Sequence, residues 1–412
     1  MFFDMLLYCA SQTEPCTLEQ SCAWLSSSYG LKIKKQSLDG RFNLDAITFV
    51  KEVLKEALER QLNTILETRF LPEFKRIRIK DGTRFNLSAN LYKHYKGSGG
   101  SNGTSNSALC IQFEYDGLSG KILTLEITDA TRNDQTDAKE TVSRVDMGDL
   151  IIRDLGYYSL PTLSKFDAAE AFFISRLGAK TNIYEPEQEN EMSFKKLYNN
   201  MVRKKKTCIE MKVHAGKKER MPVRLIVAVV PEDIYQNRIR KVEKNNKEKG
   251  YNTSEDYKAR CRFNLFITNI KPEVLSADDA LVLYKLRWQI ELMFKNWKSI
   301  LKIDQIQKMK YERFTCILVA KLTLIVVNLQ IIWDVKKFYF EKNKKILSMF
   351  KCFKTLQKEF KILNGILKKK RAESEKFLQE IVEMFSANHW KEKRKNRMNY
   401  EDLLDLFICK SK

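Results

Sequence analysis

Four side chains of one predicted helix carry the groups needed for phosphate chemistry. Tyr284, Arg287, Glu291 and Lys298 lie at offsets of 0, 3, 7 and 14 along the chain. At about 100° per residue, these offsets fall within about 60° of one another on an α-helix. Lys295 lands on the adjacent edge. A phenol, a guanidinium, a carboxylate and two ammonium groups then share one face. That face suits a metal-held scissile phosphate whose flanking phosphates are gripped by cations. The spacing also describes an ordinary amphipathic helix with Arg–Glu and Glu–Lys pairs.

Two aspartates widen the reading. The stretch FKRIRIKDGTRFNL alternates in polarity and predicts a strand with Ile77, Ile79 and Asp81 on one face and Asp81 at its end. GDLIIRDLGY, residues 148 to 157, predicts a second strand that ends at Asp154. If the two strands are neighbours, both carboxylates emerge at one sheet edge, and a helix docked there adds Glu291. Three carboxylates can hold two Mg²⁺ ions about 3.5–4 Å apart, activating a water or a 3′-hydroxyl and stabilising the leaving oxygen. Either aspartate alone reads equally well as a turn residue, since Asp81-Gly82 is an ordinary turn dipeptide.

The elements that must position these residues are legible in outline. Residues 1–70 predict helices, with Thr17 and Gln20 at capping-box spacing. This region reads either as a helix-turn-helix reader or as a plain helical subdomain. SALCIQFEYD and KILTLEITD predict strands that form an antiparallel meander with the Asp81 strand, after a Gly/Ser loop KGSGGSNGTSNS without the Walker pattern. A polar helix (135–147), the Asp154 strand, a short helix from Pro161 and the strand AFFISRL follow. That order implies parallel pairing. CIEMKVHA, VRLIVAVV and RFNLFITNI are further strands, interrupted by the charged helix EDIYQNRIRKVEKNNKEKG. The run Arg203 to Lys206 reads as a solvated turn or a DNA contact. Ser276, followed by Asp278 and Asp279, predicts the start of the helix that carries Glu291.

Composition narrows the partner. The 412 residues carry a net charge of +22. A polyanion is the first explanation for such an excess, because Lys and Arg displace condensed counterions from phosphates. Nine cysteines without a C-x-x-C pair, and three histidines, argue against a structural zinc site and for reduced, mostly buried thiols. The apolar run Phe314 to Trp333 is interrupted by Lys321, Asn328 and Gln330, which favours a buried core helix over a membrane span. From Asp334 onward, Lys and Arg outnumber acids 21 to 11 in helical sequence. His389 and Trp390 mark either a helix end or a DNA contact.

The pattern Y-x2-R-x3-E-x6-K, here Tyr284, Arg287, Glu291 and Lys298, resembles the signature of the insertion-sequence-four family of DDE transposases. RIRIKDGTRF resembles that family's first-aspartate strand, and GDLIIRDLGYYSL its second. YKGSGG and IQFEYDGLSGK are similar to intervening segments of its larger Gram-positive members. The resemblance covers about residues 40 to 340.

It implies an α/β fold, an RNase H-like mixed sheet with flanking helices, a mostly β insertion domain, and helical N- and C-terminal regions. The implied domains are a DNA-binding region (1–70), a catalytic core in two parts (71–183 and 271–340), a β-rich insertion (184–270) and a basic helical tail (341–412). It further implies Mg²⁺-dependent cut-and-paste transposition, with Mn²⁺ able to substitute. Asp81, Asp154 and Glu291 would be the catalytic, metal-holding residues. Tyr284 and Arg287 would hold terminal phosphates, and Lys295 and Lys298 would contact DNA. The implied partners are double-stranded transposon ends and target DNA, with a homodimer in the end complex and no membrane. The implied location is the bacterial cytoplasm, at the nucleoid. Two alternatives remain open: a truncated transposase acting as a DNA-binding inhibitor, and an RNase H-like nuclease without strand transfer.

Two departures stand out. Some relatives stack a flipped base on an insertion-domain tryptophan, whereas no Trp lies between Trp24 and Trp288 here. The chain is also expected to start later than full-length members, which carry an extra basic N-terminal segment.

Overall fold

The computed structural model describes residues 1–61, 73–97, 107–343, 345–359 and 371–392. Most of the Gly/Ser loop, the end of the 44–70 amphipathic run and the basic stretch after Glu392 lie outside the described residues. The chain is a mixed α/β protein and divides into two compact units. Unit 1 comprises Met1–Phe70, Asp81–Arg132 and Trp288–Lys412, and unit 2 comprises Leu71–Lys80 and Asn133–Arg287.

Unit 2 is built on a mixed sheet. Its strands are the first part of β1 (Arg76–Leu87), then β4 (Asp149–Arg153), β5 (Phe172–Arg176), β6 (Ile183–Tyr184), β7 (Cys208–Ala215), β8 (Met221–Val229) and β9 (Phe263–Thr268). They run in the order β1-β4-β5-β9-β8-β7-β6. The pairings β1–β4 and β4–β5 are parallel, and every pairing beyond β5 is antiparallel. The parallel β4–β5 pair is made possible by the crossover helix α6 (Leu160–Ala168), which has Pro161 in its first turn. Ile151, Phe166, Phe173, Phe194, Leu225 and Ile267 belong to one continuous core. The four strands β6 to β9 therefore extend the sheet that carries β4, with β9 hydrogen-bonded to β5.

The other face of β1 and β4 is held by charge. Arg76, Arg78 and Lys80 alternate with Ile77 and Ile79 and so point the opposite way. Arg76 donates to both carboxylate oxygens of Asp149 at 2.7 and 2.6 Å, and to Asp146 at 2.6 Å. Arg78 donates to Asp149 at 3.1 Å and to the Arg144 carbonyl. Lys80 and Asp137, both fully buried, form an ion pair at 2.5 Å. Asp137 lies on α5 (Asp134–Glu140). These pairs neutralise the half-buried Arg76 and the buried Arg78 and Lys80, which stand at alternate positions of one strand.

Unit 1 is organised around one long helix. Among its elements are α1 (Phe2–Ser11), α2 (Leu18–Tyr29), α3 (Lys35–Gly40), α4 (Leu44–Glu59), β2 (Ser107–Asp116), β3 (Ile122–Asp129), α11 (Trp288–Ser299) and α12 (Tyr311–Asn343). Helices α1 and α4 pack against α12. The most apolar stretch of α12 is long enough to cross a membrane by length and composition, and 78% of it is buried inside the protein. It is the core helix predicted from its interrupting polar residues. Lys321 there donates to the Leu301 and Lys302 carbonyls at 2.9 and 3.1 Å. The capping box at Thr17 and Gln20 forms with both reciprocal bonds. Strands β2 and β3 pair antiparallel. Their turn passes so close to Trp333 that a Cβ at Gly120 (φ +74°) would clash with the indole. Near the C-terminus come α13 (Met349–Lys358) and α14 (Arg371–Asn388). His389 ends α14, with its Nε2 2.6 Å from the Thr355 hydroxyl.

Candidate active site

Asp154 lies directly after β4, at the start of a single 3₁₀ turn, Leu155–Tyr157. The expectation that it ends its strand holds, although that strand stops at Arg153 rather than running to 157. Its side chain is 43% exposed, and the Arg287 Nε lies 3.5 Å from its Oδ1. Tyr284 is buried and donates from its hydroxyl to the Arg153 carbonyl at 3.3 Å. It packs edge-on against Phe266. Burial pushes the Tyr284 phenol up to about 12; Arg287 opposes this and the Asp154 charge adds to it. Unit 2 thus gathers Asp154, Tyr284 and Arg287. The phenol fixes the backbone just before the aspartate, and the guanidinium faces its carboxylate.

Asp81 differs from expectation. It does not end its strand but sits inside the 12-residue β1. The β1–β4 register runs from Arg76 opposite Asp149 to Lys80 opposite Arg153, and the next residue of each strand in the chain is an aspartate. Asp81 Oδ1 accepts from the Gly82 amide at 2.8 Å. Gly82 is not a turn residue. A Cβ there would meet Cys110 Sγ at 3.0 Å and the Gln112 amide at 3.2 Å, so β2 approaches β1 closely enough that an added methyl would make these side chains give by a few tenths of an ångström.

The Glu291 helix also differs. α10 (Ala277–Tyr284) is capped by Ser276 as predicted, its hydroxyl accepting from the Asp279 amide at 3.1 Å. A 3₁₀ turn, Lys285–Arg287, then separates it from α11. The single continuous helical face from Tyr284 to Lys298 therefore does not exist. Those four offsets share a face only on a uniform α-helix, and a 3₁₀ turn winds by a different amount per residue. Within α11, Glu291, Lys295 and Lys298 lie at offsets of 0, 4 and 7 and share one face. The opposite side of α11 is apolar: Trp297 is fully buried and packs edge-on against Phe113 of β2 and against Phe294. Lys298 Nζ reaches the Arg84 carbonyl of β1 at 3.5 Å. Unit 1 thus contains Asp81, Glu291, Lys295 and Lys298, with α11 tied to β1 three residues past Asp81.

Carboxylate oxygens are the donors that hard divalent cations prefer, so the residue types of Asp81, Asp154 and Glu291 fit such ions. Among the described residues, no group of three or more His, Cys, Asp or Glu side chains is arranged to hold a metal. In unit 2 the cation facing Asp154 is Arg287. The Arg76–Asp149, Arg78–Asp149 and Lys80–Asp137 pairs are contacts that the apolar face of the strand does not reveal; their signal in the sequence is the cations that alternate with Ile77 and Ile79.

The pattern of the transposase DDE domain family matches residues 72–329. The transposase for insertion sequence element IS231F of Bacillus thuringiensis subsp. israelensis is 30% identical over 403 residues, covering 94% of this chain and 84% of that one. The transposase for IS231B of Bacillus thuringiensis subsp. berliner is 28% identical, covering 97% and 87%. The transposase for IS1151 of Clostridium perfringens is 28% identical, covering 96% and 87%. Among solved structures, the chain is similar to a piggyBac transposase in a cryo-EM synaptic complex with hairpin DNA. There the TM-score is 0.41 at 10% identity, over 97% of this chain and 77% of that one, a likeness too loose to assign a fold. The chain belongs to the DDE transposase family. Within it, the chain is of the insertion-sequence-four type, alongside transposases of Gram-positive bacteria.

Proposed function

We propose that this chain is a transposase that cuts DNA at the ends of an insertion sequence and joins those ends to a target, with Asp81, Asp154 and Glu291 as its catalytic carboxylates. The observation that carries the reading is that the family match spans residues 72–329, and so contains Asp81, Asp154 and Glu291 in that order. The +22 charge supports a DNA partner. Asp81 and Asp154 each follow, in the chain, the last residues of the β1–β4 register, Lys80 and Arg153.

Asp81, Asp154 and Glu291 would hold Mg²⁺ or Mn²⁺, which when bound lowers the pKa of an attacking water or hydroxyl and stabilises the departing oxygen. The remaining work belongs to the protein. Arg287 neutralises the Asp154 side and can turn its guanidinium to a phosphate. Tyr284 holds the backbone ahead of Asp154. Lys295 and Lys298 supply positive charge along the Glu291 face of α11. The strand order and the parallel β1–β4–β5 run support an RNase H-like core in 71–183 and 271–340, with 184–270 as its β-rich insertion, 1–70 as a DNA-binding region and 341–412 as a basic tail. A homodimer bound to two ends, acting in the bacterial cytoplasm at the nucleoid, completes the proposal.

The test is Mg²⁺-dependent cleavage and target joining of cognate end DNA, comparing wild type with Glu291→Gln. The variant is expected to bind ends as wild type does and to lose cleavage by at least about 100-fold, the scale of several kcal/mol of charge stabilisation. Equal cleavage by both proteins sinks the site. Cleavage by wild type without joining identifies a nuclease instead.

A further inference from the structure

We propose that Cys9 and Cys16 form a modification site, a thiol pair that hydrogen peroxide closes into an intramolecular disulfide. Cys9 lies in the last turn of α1 and is 4% exposed. Cys16 immediately precedes Thr17, the N-cap of α2, and is partly exposed. Both sulfurs converge on one hydroxyl: Ser21 Oγ lies 3.4 Å from Cys9 Sγ and 3.6 Å from Cys16 Sγ. Both thiols are free. Both also line a cavity of about 30 Å³, together with Pro15, Phe314 and the side chain of Lys321. A water needs roughly 10–15 Å³ of such space, so the cavity has room for a molecule the size of hydrogen peroxide.

The two thiols are unlike. Hydrogen bonding with Cys9, and with Ser21 against the effect of burial, brings Cys16 down to about 7. Hydrogen bonding with Cys16, followed by burial, pushes Cys9 up. Cys16, the partly exposed thiol, is therefore the nucleophile, and the buried Cys9 is the thiol that keeps its proton. The Cys16 thiolate attacks one peroxide oxygen and breaks the O–O bond, giving a sulfenic acid and hydroxide, which takes up a proton as water. Cys9 then attacks the sulfenic sulfur, forming the S–S bond as its proton leaves with the hydroxyl as a second water. Two thiols and one peroxide become one disulfide and two waters. The product ties the end of α1, which packs on α12, to the start of α2.

The test uses the reduced full-length chain titrated with hydrogen peroxide. Free thiols are then blocked, disulfides reduced, and the released thiols given a second label. Residues 1–32 contain no internal Lys or Arg, so trypsin delivers Cys9, Cys16 and Cys22 on one peptide whose fragments locate each label. The expected result is the second label on Cys9 and Cys16 together, with Cys22 left in the first, and an intact mass lower by about 2 Da before reduction, the two hydrogens lost. Cys9→Ser is expected to stop at a Cys16 sulfenic acid that dimedone traps. A Cys16–Cys22 bridge, oxidation of Cys16 to sulfinic acid with Cys9 intact in wild type, or oxidation no faster than at the other cysteines each overturns the proposal.

Discussion

Arg287 faces Asp154 across 3.5 Å, Nε to Oδ1, at the point where β4 gives way to a 3₁₀ turn. The aspartate is thus held by a cation supplied by the last residue before α11, and that cation is the one the proposed function turns toward phosphate. Arg287→Ala is expected to weaken assembly on end DNA. It should also reduce the slope of log affinity against log salt by about 0.9, the value for one lost phosphate contact. Binding isotherms over a salt series read this directly, and an unchanged slope rules out a phosphate contact at Arg287.

Tyr284 supports the same corner through the Arg153 carbonyl. Tyr284→Phe removes that donor from a buried acceptor and is expected to cost about 1 kcal/mol in thermal or denaturant unfolding. The cost should depend on pH in a defined sense. The phenol is pushed up to about 12 in the fold, above its ordinary value of 10.0. Because the folded value is the higher one, the contribution is fully present below pH 10 and fades as pH rises toward 12. The stability gap between wild type and Tyr284→Phe should therefore narrow across that window. A gap that stays constant there contradicts the burial of the phenol.

The Lys80–Asp137 pair precedes Asp81 by one residue and lies on the opposite face of β1. Asp137→Leu leaves a buried ammonium without its anion, and is expected to cost about 3–5 kcal/mol. The double variant Lys80→Met, Asp137→Leu should recover most of that loss, since an apolar pair of similar volume avoids the desolvation penalty. Chemical denaturation of the three proteins completes the cycle. Additive losses would mean that the two side chains do not act as a pair.

Gly82 sits where β2 crowds β1. Gly82→Ala is expected to destabilise by about 1–3 kcal/mol through overpacking. Adding Cys110→Ala, which removes the nearest atom, should restore part of the loss. If Gly82→Ala alone leaves the melting temperature unchanged, the Cys110 and Gln112 side chains yield to the added methyl and the strand is not overpacked there.

Much of the candidate site was legible because its signals are local. Ser276 with Asp279 marks a helix start in any context, and the alternation around Ile77 and Ile79 marks a strand. The four-residue signature then assigned chemistry that periodicity alone left ambiguous. What failed did so for a shared reason. The alternation around Ile77 and Ile79 predicts a strand that ends at Asp81, but the strand runs on to Leu87 beside β2, where Gly82 brings no Cβ against Cys110. The face from Tyr284 to Lys298 was drawn on a uniform helix, and no residue in Lys285-Leu286-Arg287 announces a 3₁₀ turn.

The amino-acid sequence by itself determined the chain's family and, as expectations, its polyanion partner and the residues proposed to do the chemistry. These depend on residue type and order, which no fold can change. Only the tertiary structure decided which charges are neutralised and by whom. Asp154 faces Arg287 133 residues away in the chain, Tyr284 bonds the carbonyl of Arg153, and Lys80 is buried against Asp137. Such partnerships are set by desolvation and strand register, and both exist only once distant segments have packed together.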